Sequence, residues 1–141
     1  MIAKSMRPKA EIAALNILKD WGCTHFVKAI KTKFQSVDMF ACDIMAKSKG
    51  STFFVQVTTG GYEAVRTRKK KLETIPWLES DVVYVFQLVD TGTRMGRSKV
   101  WVFNRLQLCP RLGWVEREQI RIDNSDFKHR KTDEDDRAVP G

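Results

Sequence analysis

Apolar residues recur at helical spacing in two parts of the chain. In residues 9–21, Ile12, Leu15, Ile17 and Leu18 fall near one helix face, and Gly22 is a typical end signal. Tyr62, Val65, Leu72 and Ile75 repeat this spacing until Pro76 breaks it. These patterns predict two helices, and the second one carries a dense run of basic residues.

Aromatic and β-branched residues are concentrated outside these helices, which is typical of β-strands. The predicted strands cover residues 24–30, 37–46, 52–59, 81–89 and 99–103. Residues 81–89 are apolar at odd and even positions, as in a central strand covered on both faces. Residues 90–98 form a predicted glycine-containing loop, whose Arg94 and Arg97 could reach a phosphate or simply be solvated. Residues 104–122, interrupted by Pro110 and Gly113, leave a further strand at 114–122 open.

The order of these elements is helix, three strands, basic helix and two strands. That order predicts an α/β fold in which helices flank a central mixed β-sheet. One domain over residues 1–123 fits the length of the chain. Residues 124–141 are charged and nearly devoid of apolar side chains, so they predict a disordered tail.

The excess of basic residues indicates a class of binding partner. The 25 Lys and Arg residues exceed the 17 Asp and Glu residues, giving a net charge of +8. The excess favours a polyanionic partner such as nucleic acid, whereas a merely solvated basic surface is the alternative. The residues predicted to contact nucleic acid are Lys4, Arg7, Lys9, Lys31, Lys33, Arg66, Arg68, Lys69, Lys70 and Lys71.

The cysteines and the hydropathy of the chain bear on its expected cellular location. Cys23, Cys42 and Cys109 are odd in number and lack CxxC spacing, so they indicate neither a disulfide framework nor a zinc site. No apolar run is long enough to span a bilayer. The expectation is a cytoplasmic protein without a membrane partner.

A polar group interrupts the apolar strands. Gln56 and Thr58 are two residues apart, so they share one face of a predicted strand, and Asp43 lies on the strand that precedes it. A carboxylate and an amide oxygen on neighbouring strands could converge on Mg²⁺, which prefers oxygen ligands. Asp38 lies an odd number of residues before Asp43 and would face the other side unless a bulge intervenes. Alternatively, Gln56 only satisfies a neighbouring loop.

These residues resemble the PD-(D/E)XK nucleases, in particular archaeal-type Holliday junction resolvases and Mrr-like restriction endonucleases. The resemblance covers residues 11–88 and lies in the order of Glu11, Asp43-Ile-Met-Ala, a turn at Gly50 and Phe54-Val-Gln-Val-Thr, before the basic helix. Gln56 stands where most members have an acid, a variant seen in Mrr-like members.

The resemblance implies a restriction-endonuclease-like core and a DNA endonuclease that uses Mg²⁺ or Mn²⁺. Asp43 would be the principal metal ligand, Gln56 a second, Val57 a carbonyl ligand and Glu11 an outer carboxylate. The substrate would be duplex or branched DNA, left with 5′-phosphate and 3′-hydroxyl ends, in a prokaryotic or phage-infected cell. A homodimer would follow, because cutting two strands often uses paired sites.

Thr58 departs from the family pattern. The family has a lysine there, and a threonine hydroxyl cannot supply its positive charge. Either another lysine reaches the site, for which helical spacing selects Lys69, or hydrolysis is weakened or lost. The alternatives are therefore a catalytically inactive nucleic-acid-binding protein on the same fold, or a basic RNA-associated or scaffold domain with another fold.

Overall fold

A six-stranded sheet forms the centre of the molecule. The structure is a computed structural model that describes residues 6–28 and 42–130. Its elements are α1 (Met6–Asp20), β1 (His25–Lys28), β2 (Ile44–Lys47), β3 (Thr52–Thr58), α2 (Tyr62–Glu73), β4 (Asp81–Met95), β5 (Ser98–Cys109), β6 (Gly113–Ile122) and a 3-10 helix (Asn124–Phe127).

The six strands of the described residues lie in the sheet in their sequence order, and one neighbouring pair among them is parallel. That pair is β3 and β4, which are joined by the crossover helix α2. All other pairs are antiparallel. The predicted α/β class with a mixed sheet is therefore confirmed, and the strand left open at residues 114–122 exists as β6. Residues 29–30 and 37–41 of two predicted strands lie outside the described residues.

The two helices cover opposite faces of the sheet. Alternate residues of β3 divide between two core layers, because successive side chains of a strand point to opposite faces. Val55 and Val57 pack in the layer with α1, whereas Phe54 packs in the layer with Val65 and Leu72 of α2. In the described ranges neither helix is both long and apolar enough to cross a membrane.

Packed structure continues past the predicted domain boundary at residue 123. The buried Asn16 side chain in α1 donates hydrogen bonds to the carbonyls of Asp126 and Lys128, at 2.9 and 3.0 Å. Phe127 packs against the α1 layer, with its ring 6.0 Å from that of Trp101. Residues 124–130 are thus docked on the domain although their composition predicts disorder, because Asn16, Trp101 and Asp20 of the domain contact them. Residues 131–141 lie outside the described residues.

The predicted loop at residues 90–98 is instead the end of a long hairpin. β4 runs to Met95 and β5 starts at Ser98, and Arg94 pairs with Lys99 across the hairpin. Gly96 in the turn has φ 62°, a left-handed conformation that favours glycine. The glycines that suggested a loop therefore mark a bend and a tight turn within paired strands.

Candidate functional site

Asp43 is a buried carboxylate held at a bulge where β2 begins. The Asp43 N–H donates to the Val55 carbonyl at 2.9 Å, while the register pairs Ile44 with that same Val55. Two residues thus oppose one, which is the arrangement of a β-bulge. The Asp43 side chain, 2% exposed, turns along β3 and its Oδ2 accepts a hydrogen bond from the Val57 N–H at 2.8 Å.

Arg7 joins this carboxylate to the first helix. Its Nη2 lies 3.3 Å from Asp43 Oδ1, and its Nε lies 3.6 Å from Glu11 Oε2, one helical turn along α1. Glu11 Oε1 in turn lies 3.8 Å from Lys28 Nζ on β1. Two carboxylates that are distant in sequence therefore converge on a single guanidinium group. The Arg7 side chain as a whole is one-third exposed.

Gln56 and Thr58 are buried, at 5% and 2% exposure, on the face that α2 covers. They share the parity of Phe54, which packs in the α2 layer. The described contacts of the Asp43 side chain reach α1 and the β3 backbone instead. The structure thus brings together Asp43, Glu11 and the main chain of Val57, and it places the Gln56 side chain in the α2 layer on the other side of that backbone.

A row of polar side chains continues from Thr58 across the sheet. Thr58 is in register with Gln87, which is in register with Asn104. Gln87 donates to the Gly60 carbonyl at 3.0 Å and accepts from Asn104 Nδ2 at 3.1 Å, and Gln119 donates to Asn104 Oδ1 at 2.6 Å. The sequence prediction did not include this row. The signal for it was Gln87, the polar residue within an otherwise apolar strand.

Lys69 is not brought to Thr58. Its Nζ lies 5.6 Å from the centroid of the Trp114 ring. Trp114 is aligned through Leu108 with Val83 at the beginning of β4, whereas Thr58 is aligned with Gln87 further along the same strand. The helical spacing placed Lys69 on the side facing the sheet, but a lysine side chain long enough to reach an aromatic ring follows that ring, not the strand below it.

The Arg68 side chain turns back toward the start of α2. Its Nη1 donates to the Ala64 carbonyl at 3.2 Å, and its Nε is buried. Arg66 pairs with Glu63 at 3.6 Å, while Lys70 and Lys71 are exposed, as is Lys9 on α1. Lys4, Lys31, Lys33 and Asp38 lie outside the described residues.

The donor chemistry of this site suits a hard divalent cation. Within the described ranges no group of three or more His, Cys, Asp and Glu side chains is assembled that could hold a metal. Asp43 and Glu11 nevertheless already face one shared cation, and carboxylate oxygens are the ligands that Mg²⁺ selects. A divalent ion would have to replace the Arg7 guanidinium between them.

Comparison of the whole chain with protein-family models, curated proteins and solved structures gives no match. Its function has to be judged from its own residues. The buried Asp43, paired with Arg7, which also contacts Glu11 on α1, is the arrangement that packing alone does not require.

Proposed function

We propose that the chain is a divalent-metal-dependent DNA endonuclease with a restriction-endonuclease-like core. The observation that supports this proposal most is the convergence of Asp43 and Glu11 on one cation beside β3. The element order around it supports the same proposal, because α1, the β2–β3 hairpin and the parallel crossover to β4 follow the order of the resemblance.

The burial of Asp43 is costly unless its charge is compensated. An ionised carboxylate taken out of water loses several kcal/mol of hydration, which hydrogen bonds and an opposite charge have to restore. The Val57 N–H and the Arg7 guanidinium supply both here. A site that already compensates a buried carboxylate with a cation is one in which a metal ion can take over the same role.

Asp43 and Glu11 would hold Mg²⁺ or Mn²⁺, with the Val57 carbonyl as a further ligand. The Gln56 amide, which the resemblance implies as another ligand, lies in the α2 layer and does not join this group. Such an ion, when bound, polarises a phosphate and lowers the pKa of a coordinated water. Thr58 supplies no positive charge. Among the described residues, Arg7 on α1 is the basic side chain that contacts both carboxylates, while Lys28 on β1 contacts Glu11.

The basic side chains of α2 would bind the DNA backbone. Lys70 and Lys71 are exposed on this helix, which directly follows β3, and Arg66 is more than half exposed. Contacts of this kind release counterions from DNA, so affinity should fall steeply as salt rises.

The decisive experiment measures cleavage of duplex, branched and single-stranded DNA with Mg²⁺ or Mn²⁺. We expect Asp43→Asn to lower the cleavage rate by about 10²-fold or more, because a neutral amide holds a divalent ion poorly. The matched control is Asp20→Asn, which removes the same charge from an exposed position on the same helix as Glu11 and should leave cleavage unchanged. Thermal melts of all three proteins separate lost chemistry from lost folding. Cleavage that survives in Asp43→Asn at the parent rate would contradict the proposal.

A second candidate is a nucleic-acid-binding protein without hydrolysis. Two observations favour it: Thr58 stands at the lysine position, and an arginine fills the space between the carboxylates. The same assay distinguishes it, because this protein would bind DNA in a salt-dependent way and cut none of the substrates with either metal.

A further inference from the structure

The β4–β5 hairpin extends beyond the rest of the sheet. β3 accompanies β4 only as far as Gln87, and β6 accompanies β5 only from Trp101 onward. Residues 91–100 therefore form a two-stranded projection without a third strand, which we call the arm. Every residue from 91 to 97 is exposed.

The arm is basic. It carries Arg94, Arg97 and Lys99, and the carboxylate at its base, Asp90, pairs with Lys99 at 3.5 Å. Arg94 donates to the Arg97 carbonyl at 3.3 Å. In residues 6–28 and 42–130, neither Arg94 nor Arg97 forms an ion pair with a carboxylate. Arg121 of β6 adds a further guanidinium beside the exposed Met95.

Specific hydrogen bonds fix the base of the arm. The Thr91 hydroxyl donates to the Val100 carbonyl across the hairpin at 2.7 Å. The Asp90 carboxylate accepts from the Gly92 N–H at 2.9 Å, where the chain bends with φ 78°. Beyond this base, Arg94 is paired with Lys99 across the hairpin and Arg97 lies in the turn at its tip.

The arm projects from the end of the sheet that carries the candidate site. Thr58 ends β3 beside Gln87, and the arm begins a few residues further along β4. On β5 the three steps from Trp101 to Ser98 reach about 10 Å beyond the sheet at about 3.3 Å per residue, and the additional residues of β4 lie in the irregularity between Asp90 and Arg94. A two-stranded ribbon fits the major groove of B-DNA, which is about 12 Å wide and about 8.5 Å deep. The arm thus has the length, width and charge to enter that groove.

We propose that the arm inserts into the major groove of duplex DNA and holds the duplex against the candidate site. This inference rests on the proposed function for its choice of DNA as the partner. Arg94 and Arg97 bind phosphates or base edges in the groove. The arm requires a groove, so it distinguishes double-stranded from single-stranded DNA.

The test compares two double variants of equal charge. Arg94→Gln with Arg97→Gln removes the arm charges, and Lys49→Gln with Arg111→Gln removes two exposed charges at the turns on the opposite end of the sheet. Fluorescence anisotropy without divalent metal gives the affinity of each protein for a duplex and for its separate strand over a range of salt concentrations. Circular dichroism melts verify that both variants fold.

We expect the arm variant to bind the duplex about tenfold or more weakly, with a salt slope reduced by about two units, since each lost phosphate contact removes roughly 0.9. Its affinity for the single strand should change much less, and the control variant should bind both like the parent. Equal losses in the two variants, equal losses on both DNAs, or an unchanged duplex affinity would each overturn the arm proposal.

The outcomes also separate this inference from the proposed function. A parent protein that cuts DNA through Asp43 while the arm variant binds normally refutes the arm alone. Arm-dependent duplex binding without any cleavage refutes the endonuclease alone. A parent that binds no duplex at low salt refutes both.

Discussion

The two ends of the sheet are built from different side chains. We call the end with Thr58, Gln87 and Asn104 the site end, because the carboxylates of Asp43 and Glu11 lie nearby on β2 and α1. The other end, where β3 and β4 begin, is the turn end. Hydrogen-bonded amides and ion pairs occupy the site end, whereas aromatic rings close the turn end.

At the turn end, aromatic side chains pack against α2, and their polar atoms are hydrogen-bonded within that packing. The Trp77 ring packs 4.7 Å from that of Phe54 and donates its N–H to the Leu72 carbonyl at 2.8 Å. Trp114 donates to Glu73 at 2.6 Å and lies beneath the Lys69 ammonium. The polar atoms at the turn end thus support apolar packing. At the site end, by contrast, the buried carboxylate of Asp43 is compensated by the Arg7 guanidinium. Under the proposed function, packing stability belongs mainly to the turn end and binding chemistry to the site end.

The largest expected effect is on folding, through Leu72. This side chain is fully buried in the α2 layer, so Leu72→Ala should lower the free energy of unfolding by about 2–5 kcal/mol. Urea denaturation followed by circular dichroism measures the loss. The control is Tyr62→Ala in the same helix at the site end, where the side chain is 77% exposed and the change should stay within about 0.5 kcal/mol. Similar losses of unfolding free energy in the two variants would contradict the proposal that the turn end contributes more to stability than the site end.

The next effect concerns the cation at the site end, and it presumes the proposed function. Arg7→Gln removes the guanidinium that competes with a divalent ion for Asp43 and Glu11. We expect Mn²⁺, measured by isothermal titration calorimetry, to bind about tenfold more tightly, a change of about 1.4 kcal/mol. Arg130→Gln is the matched control, because Arg130 pairs with Asp20 and Asp126 elsewhere on the surface. Unchanged or weaker Mn²⁺ binding in Arg7→Gln would show that the two carboxylates do not form a metal site.

The sequence predicted the local elements better than the contacts between them. Residues 9–21, 52–59 and 81–89 follow α1, β3 and much of β4, because periodic burial of apolar side chains is a local signal. The sequence could not show that Arg7 reaches Asp43, because this contact joins the first turn of α1 to the start of β2 only in the folded chain. It also could not show that Lys69 turns to Trp114, because the choice among reachable partners is made by tertiary packing.

Glycine and charge were the misleading signals. Gly92 and Gly96 suggested a loop, although in a hairpin the same residues form a bend and a turn between paired strands. The charged residues from Asn124 onward suggested disorder, although Asn16 in α1 donates hydrogen bonds to the carbonyls of Asp126 and Lys128 among them. In both cases the contact that determines the structure is made by another element, β5 for the hairpin and α1 for residues 124–130. The residue pattern of the segment itself contains no information about that contact.

A smaller effect tests whether Lys69 belongs to the turn end in function as well as in position. Lys69→Met keeps the aliphatic stem and removes the ammonium above Trp114, so it should lower stability by about 0.5–1 kcal/mol in urea denaturation. Cleavage at saturating DNA should keep the parent rate, because Lys69 is not brought to Thr58. Trp114→Leu provides the comparison, since the ammonium has no ring to contact there and a second substitution at Lys69 should then cost nothing further. A lost cleavage rate in Lys69→Met with normal stability would instead assign Lys69 to the site.

The smallest expected effect is a titration at the base of the arm. The hydrogen bond from the Gly92 N–H, aided by nearby Lys99, holds the pKa of Asp90 below its usual range. A lowered pKa in the folded state means that the contribution to stability is complete above the ordinary aspartate pKa of about 3.9 and is lost as pH falls through the lower folded value. The shape of the arm should therefore not change with Asp90 protonation near neutral pH. Carboxyl carbon NMR shifts followed during acidification measure the pKa directly.

In Lys99→Met the pKa of Asp90 should rise only part of the way, because the main-chain N–H is the larger cause and remains in place. A complete return to the ordinary value would mean that the salt bridge, and not the bend at Gly92, sets the geometry at the base of the arm.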